Sequence, residues 1–513
     1  MIRIYLGTIA ALWGNCMDSI KKPHPDSEPL DPNVPEESLD PLDWGPLREL
    51  GHRMLDDMLS YQETVRQRPA WKPIPEEVLR ALDEPLPLEP QGAESAYADF
   101  KEQVLPYPVG NIHPRFWGWV NGTGSPLDML SEMLAAGMNP NAAGFQQSST
   151  YVEFKVLDWL KEMLAFPPGA GGILVSGGSV ANLVALTVAR NARAGFDVRR
   201  NGMRDSPRLC MYASSETHSS VQKAVEFLGM GSESLRYIDV HDDFSIDVDA
   251  LHAAVRRDRK AGMRPIAVIG NAGTVNTAAM DDLDGLADVC AQENLWLHVD
   301  GAFGALAWLS PKLRPLLRGM ERADSLSFDL HKWMYLPYDV GCTLVRRADE
   351  HRDTFALEPA YLSPMQRGVS QVATVFSEFG LDLSRSFRAL KVWMALKARG
   401  VHQYTRLIEQ NVAQAAYLAK KVEHSKALEL MAPVRLNIVC FRYAPAGVPE
   451  ESLNEMNQHI LERIQEEGIA VPSHTVLDGR FCIRVAITNH RTRRSDLDLL
   501  VRETERGDIE NEA

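Results

Sequence analysis

Three separated stretches of the chain carry residue types suited to chemistry. In the run from Ser325 to Met334, Lys332 follows His331 at the end of a segment where Leu326, Phe328 and Leu330 alternate with smaller or polar residues, the pattern of a half-buried strand. Burial disfavours an ammonium and lowers a lysine pKa, and the neutral amine can condense with an aldehyde. The plainer alternative is a lysine at a strand end that buries its stem and keeps its head in water. From Gly171 to Leu186 an apolar strand enters the turn Gly177, Gly178, Ser179 and leaves as a helix with Leu183, Leu186 and Ala189 on one face. Amides at such a helix start suit an anion, phosphate above all. The pattern is neither that of a dinucleotide fold nor a P-loop, so NAD and ATP are not indicated, and in isolation it is also an ordinary tight turn. The third stretch, Asn294 to Asp300, reads as a buried strand ending in an aspartate before Gly301 and Ala302; alone, that aspartate is a cap or turn former.

In this chain order, an anion cradle, an aspartate at a strand end and an imine-forming lysine match the needs of pyridoxal 5'-phosphate, which has a phosphate to anchor, a pyridine nitrogen to keep protonated and an aldehyde to hold. With these motifs and the run Arg480 to Thr492, the chain resembles the group II pyridoxal-phosphate-dependent amino acid decarboxylases, which include aromatic-L-amino-acid and glutamate decarboxylases. The likeness runs from about His113 to Thr492 and is weaker in the N-terminal helices. It implies Lys332 as the covalent lysine, Asp300 as partner of the ring nitrogen, Ala302 as a small residue against the ring and His218 as the stacking histidine. Gly178 and Ser179 match phosphate contacts, Thr274 a threonine near the cofactor, and His331 a histidine near phosphate and substrate. It also implies an α/β architecture of fold-type I, with a large, mostly parallel sheet wrapped by helices, an N-terminal helical segment that packs across a homodimer, and a small C-terminal α/β domain.

The same resemblance implies loss of carbon dioxide from an L-amino acid, with Tyr361 in the stretch Leu357 to Leu362 matching the loop tyrosine that returns a proton to Cα. Relatives with phenylalanine there tend toward oxygen-consuming aldehyde formation. The run His113 to Val120 aligns with the substrate-pocket segment, and Phe116, Trp117 and Trp119 suit an aromatic or apolar side chain. Two departures stand out from the animal aromatic-amino-acid enzymes: Arg115 replaces a tyrosine and Asp329 an asparagine. Arg115 is open to three uses: pairing a substrate's side-chain carboxylate, pairing a protein acid, or a surface role. An aldehyde synthase, a decarboxylase of acidic or aliphatic amino acids, an aminotransferase on the same scaffold and a silent binding protein are the competing readings.

Composition fits such an enzyme. At 513 residues the chain can build several buried cores, and a net charge of -15 argues against non-specific nucleic-acid binding. Six scattered cysteines without a C-x-x-C pair read as reduced thiols of a cytoplasmic protein, with no metal site expected. The first thirteen residues have a faint signal-peptide look but are too short to span a bilayer; an extension ahead of a start at Met17 is the favoured reading. The proposed layout is a flexible leader over 1–42, a helical dimerisation segment over 43–110 with Leu47, Leu50, Met54, Leu55 and Met58 at helical spacing, a cofactor domain over 111–400 and a small domain over 401–513. Helices are expected over Thr150 to Phe166, from Ser219, near Leu283 to Glu293, near Ser386 to Arg399 and onward to about His424. Strands are expected over Arg208 to Ala213, Pro265 to Gly270, Leu295 to Asp300, Arg435 to Tyr443 and Phe481 to Thr488, with a helix near Ser452 to Glu467.

Overall fold

The computed structural model describes residues 37–204, 206–357, 367–371 and 375–507; most of the leader, and Tyr361, lie outside them. The chain divides into two compact units, residues 1–56 and 57–513, and the apolar stripe that begins at Leu47 forms the helix Trp44–Glu63, which crosses that division.

The site is carried by a seven-stranded sheet. Its strands are β2 (Gly171–Val175), β3 (Leu209–Ser214), β4 (Leu235–Ile238), β5 (Arg264–Asn271), β6 (Trp296–Asp300), β7 (Ser325–Asp329) and β8 (Gly341–Val345), in the order β2-β8-β7-β6-β5-β3-β4. Five neighbouring strands, β4, β3, β5, β6 and β7, run parallel, while β8 is antiparallel to both β2 and β7. Both faces are covered. Met211, Ala213 and Ile269 pack with Leu186 and Ala189 of the helix Gly178–Arg193, while Cys210, Tyr212 and Val268 pack on the other face with Leu286 and Val289 of the helix Leu283–Glu293. Adjacent residues of a strand point to opposite faces, so one short strand feeds both cores. For the same reason β7 is buried along its whole length rather than half-buried as its alternation suggests. Its small serines, Ser325 and Ser327, share one face, the face that looks toward the helix Gly178–Arg193.

A second, five-stranded sheet comprises β1 (Phe116–Trp117), β9 (Leu428–Leu430), β10 (Ile438–Tyr443), β11 (Val471–Leu477) and β12 (Arg480–Ala486), in the order β1-β11-β12-β10-β9. The helices Val401–His424, Glu450–Glu466 and Arg494–Glu505 supply Leu418, Ile460 and Leu500 to its core. Sequence reasoning finds β10, β12 and the first two of these helices but not the third helix, β1, β9 or β11. The two-residue β1 joins the sheet by parallel pairing of Phe116 with Val471 and Trp117 with Pro472, partners about 355 residues away that no local pattern can supply.

Candidate active site

The C-terminal ends of β5, β6 and β7 open into a cavity of about 500 Å3, where ligands bind in sheets of this kind. Strand β7 ends at Asp329, and the chain turns into one helical turn, Leu330–Trp333. That turn places Lys332 on the cavity wall, and Lys332 Nζ lies 2.9 Å from Asp329 Oδ2. Asp329 is 1 % exposed, and its Oδ1 has no hydrogen-bond partner among the described residues. Burial pulls the Lys332 amine down, but the carboxylates of Asp329 and, farther off, Asp300 outweigh it and hold the ammonium above the ordinary lysine range. The neutral amine expected from burial alone is thereby corrected: an acid three residues earlier supplies the counter-charge, and the same carboxylate is a nearby acceptor for the proton that Nζ must lose to act as a nucleophile.

On another wall the helix Gly178–Arg193 begins, and its first backbone bond runs from Ala181 N–H to Gly177 C=O at 2.9 Å. The amides of Gly178, Ser179 and Val180 precede that bond and are left for an anion. A side chain at either glycine would crowd the wall: a Cβ on Gly178 would lie 2.9 Å from Asp329 Oδ2, and one on Gly177 would lie 3.1 Å from His331 Cε1. His331 Nδ1 accepts the Val340 N–H at 3.2 Å, which leaves its proton on Nε2, the atom 3.8 Å from Asp329. Burial lowers the His331 pKa.

Asp300 at the end of β6 accepts from Asn182 Nδ2 at 2.8 Å and from the Ala302 N–H at 3.1 Å. His218 caps the helix Ser219–Phe227, its Nδ1 accepting from the Ser220 N–H at 3.2 Å. The proton of the neutral ring therefore sits on Nε2, and burial, partly offset by Asp300, keeps the pKa low. Ala302 and Phe303 complete this side.

The cavity thus gathers Lys332, His331, Asp300, Ala302, Gly178, Ser179, His218 and Trp119. Four other expected residues do not line it. Thr274 turns its hydroxyl inward to Thr277 and the Ala279 amide at 3.2 and 3.0 Å, leaving Gly273, Val275 and Asn276 as the lining. Phe116 packs with Ala70 and Val471, and Trp117 enters the small-sheet core with its indole N–H on Thr492 at 3.1 Å. Arg115 donates to the Ile469 carbonyl, so its guanidinium is turned toward the segment leading into β11. Period-two alternation cannot aim Phe116, Trp117 and Trp119 into one pocket, and the backbone swings at Trp119 (φ 51°), which alone of the three faces the cavity.

Sequence reasoning missed Asn182, Ser220, His298 and Arg484. Arg484 on β12 is buried and donates to the carbonyls of Trp119 (2.8 Å), Asn276 (2.9 Å) and Val275 and to Ser473 Oγ at 3.2 Å. Burial lowers its pKa to about 10. A signal existed for two of them. His298 shares a strand face with Asp300 at i and i+2, and Asn182 is the one amide on a helix face otherwise made of Ala181, Val184 and Ala185.

A mostly parallel sheet with a lysine, an aspartate and a glycine cradle at its strand ends defines a fold-type I pyridoxal-phosphate enzyme, and these residues fit that cofactor: an amide cradle that a side chain would crowd, an acceptor-only carboxylate and a reachable amine. A model of the pyridoxal-dependent decarboxylase conserved domain matches residues 75–444, and the chain belongs to that family. It is similar to the aromatic-L-amino-acid decarboxylase of Bacillus atrophaeus, 35% identical over 450 residues that cover 87% of this chain and 92% of that one. Among solved structures it is similar to Oryza sativa TDC with PLP and tryptamine, with a TM-score of 0.84 and 28% identity over 91% of this chain and 99% of that one. Rhodiola rosea 4-hydroxyphenylacetaldehyde synthase matches with a TM-score of 0.81 and 26% identity, again over 91% and 99%.

Proposed function

We propose that the protein decarboxylates an aromatic L-amino acid to its amine and carbon dioxide. The observation that carries this reading is one cavity in which Lys332, the Gly178 cradle and Asp300 stand together beside the exposed ring of Trp119 and the buried ring of Phe303. Bound pyridoxal 5'-phosphate supplies an aldehyde that captures the substrate amine and a protonated ring that accepts the electron pair released with carbon dioxide. Gly178 and Ser179 would hold the phosphate, and Lys332 the aldehyde carbon. Asp300, fixed by two donors, would keep a proton on the ring nitrogen, and His218, its Nδ1 bound to Ser220, keeps its own proton on Nε2. The aromatic walls favour a flat apolar side chain.

Tyr361 is assigned as the donor of the proton that Cα receives. A homodimer is part of the reading, supported by the exposed Met133, Leu134 and Met138 along one helix. A cytoplasmic location is supported by five free, buried cysteines among the described residues, where in addition no helix is long and apolar enough to cross a membrane. The test is carbon dioxide release across the twenty amino acids with products identified. Tyrosine, tryptophan, phenylalanine or a hydroxylated relative should give amine, and release from glutamate or cysteine sulfinate alone would overturn the aromatic assignment. Tyr361→Phe should divert product toward aldehyde, ammonia and peroxide; amine at the parent rate would remove Tyr361 from its role.

A further inference from the structure

Behind the cavity runs a buried chain of hydrogen bonds whose direction is fixed at both ends. The Trp296 indole can only donate, and does so to Ser325 Oγ at 2.8 Å. The Ser325 hydroxyl lies 2.9 Å from His298 Nδ1, His298 Nε2 lies 3.0 Å from Asn182 Oδ1, and Asn182 Nδ2 lies 2.8 Å from Asp300 Oδ2 and 3.1 Å from Ser220 Oγ. Ser220 Oγ in turn lies 2.8 Å from His218 Nδ1. His298 is wholly buried and Asn182 is 1 % exposed, so solvent does not scramble these bonds.

With an obligate donor at one end and a carboxylate at the other, one pattern satisfies every group. Ser325 donates to His298 Nδ1, His298 carries its proton on Nε2 and gives it to Asn182 Oδ1, and both Asn182 N–H groups are spent, on Asp300 and on Ser220. Ser220 then donates to His218 Nδ1. A flipped Asn182 amide would set its N–H groups against the His298 N–H and its oxygen against the carboxylate. The charged form of His298 is disfavoured by burial, which lowers its pKa to about 4 even with Ser325 beside it.

We infer that Asn182 is a positioning residue that transmits this single polarity from His298 to both sides of the cavity, favouring the Asp300 carboxylate by donation and, through Ser220, holding the His218 proton on Nε2. The inference rests on the proposed role of Asp300 at the ring nitrogen. Asn182 touches neither substrate nor cofactor in this assignment and acts through the two residues that do.

The test uses the full-length holoenzyme and the apoprotein prepared from it. Asn182→Leu deprives Asp300 of one of its two donors, which raises the carboxyl's proton affinity. The acid limb of the kcat profile should move to higher pH and kcat should fall about 10- to 100-fold, the scale on which outer-shell partners act, with KM little changed. The equilibrium affinity of the apoprotein for pyridoxal 5'-phosphate, read by quenching of tryptophan fluorescence, should hold within about threefold of wild type, because the phosphate cradle is untouched. In an Asp300→Asn background the same change should add almost nothing, since residues that act as a unit are not additive. Should Asn182→Leu fail to fold, His298→Phe, which removes the donor to Asn182, should reproduce the acid-limb shift, and His298→Gln, which keeps a donor there, should restore the wild-type profile. A cofactor affinity that falls in step with kcat, losses that multiply in the double variant, or an unmoved acid limb would each overturn the inference. Asp300→Asn without effect on turnover would instead fell the reading beneath it.

Discussion

Lys332 and Asp329 form a buried pair whose members depend on each other. Separated by 2.9 Å, with Asp329 Oδ1 unpartnered among the described residues, the carboxylate is tolerable in that position because the ammonium is there; stripping one partner from a buried pair costs about 3–5 kcal/mol. Lys332→Ala therefore does more than remove the nucleophile. It leaves a buried carboxylate without its counter-charge, so the folded state loses stability. Urea midpoints of Lys332→Ala should fall below those of wild type, with activity absent. Lys332→Ala with Asp329→Asn should recover the lost stability without recovering activity. Equal midpoints for the single and double variants would show that Asp329 carries no buried charge.

At the scale of elements, the cavity is assembled by one strand of the other sheet. Arg484 on β12 ties together the Trp119 carbonyl, the Val275–Asn276 turn after β5 and Ser473 of β11. All its named acceptors are neutral, so its charge is solvated by oriented carbonyls and the clamp is geometric. Arg484→Met keeps the stem and its packing but leaves those carbonyls unpaired, at about 1–3 kcal/mol each where burial is complete. The expected outcome is a lower melting temperature and a KM raised more than tenfold as Trp119 loses one of its two backbone anchors, with pyridoxal 5'-phosphate affinity near that of wild type because the glycine cradle belongs to the helix Gly178–Arg193, outside the clamp. If KM holds and cofactor affinity collapses, the clamp serves the cradle instead.

For the molecule as a whole, burial governs response to acid. Burial is the largest influence on His113, His298, His351 and His490, each lowered to about 4, and it also lowers His218 and His331. A histidine held neutral when folded takes up a proton on unfolding between its ordinary value near 6.5 and its depressed one, so its contribution is present above that window and is lost as pH falls toward about 4. Asp281, raised to about 6, and Asp324, also raised, oppose this, because burial makes their carboxyls bind protons when folded. Six histidines against two carboxyls set the sign. Stability measured by chemical denaturation should decline steadily from pH 6.5 to 4.5 with net proton uptake on unfolding; a flat or rising profile would contradict the buried neutral imidazoles.

What the linear chain determined by itself is its chemistry and the frame for it. Lys332, Asp300 and the Gly178 turn were legible because each closes an apolar run, and a parallel sheet must deliver the ends of its strands to one edge, so reactive residues at strand ends meet without further information. The alternation of strand and helix from Leu174 to Arg346 likewise announced the large sheet. Tertiary structure decided what depends on direction and on distant partners. It turned Phe116 and Trp117 into core through β1's pairing with β11, rotated Thr274 and Arg115 away from the cavity, and brought Arg484 to it from the other sheet. It also reversed the charge expected of Lys332 and joined His298 to Asp300 through Asn182 across 116 and 118 positions. Periodicity records which residues are hidden from water; which neighbour each one meets there is set by how whole elements pack, and pKa values and hydrogen-bond polarity follow from those neighbours.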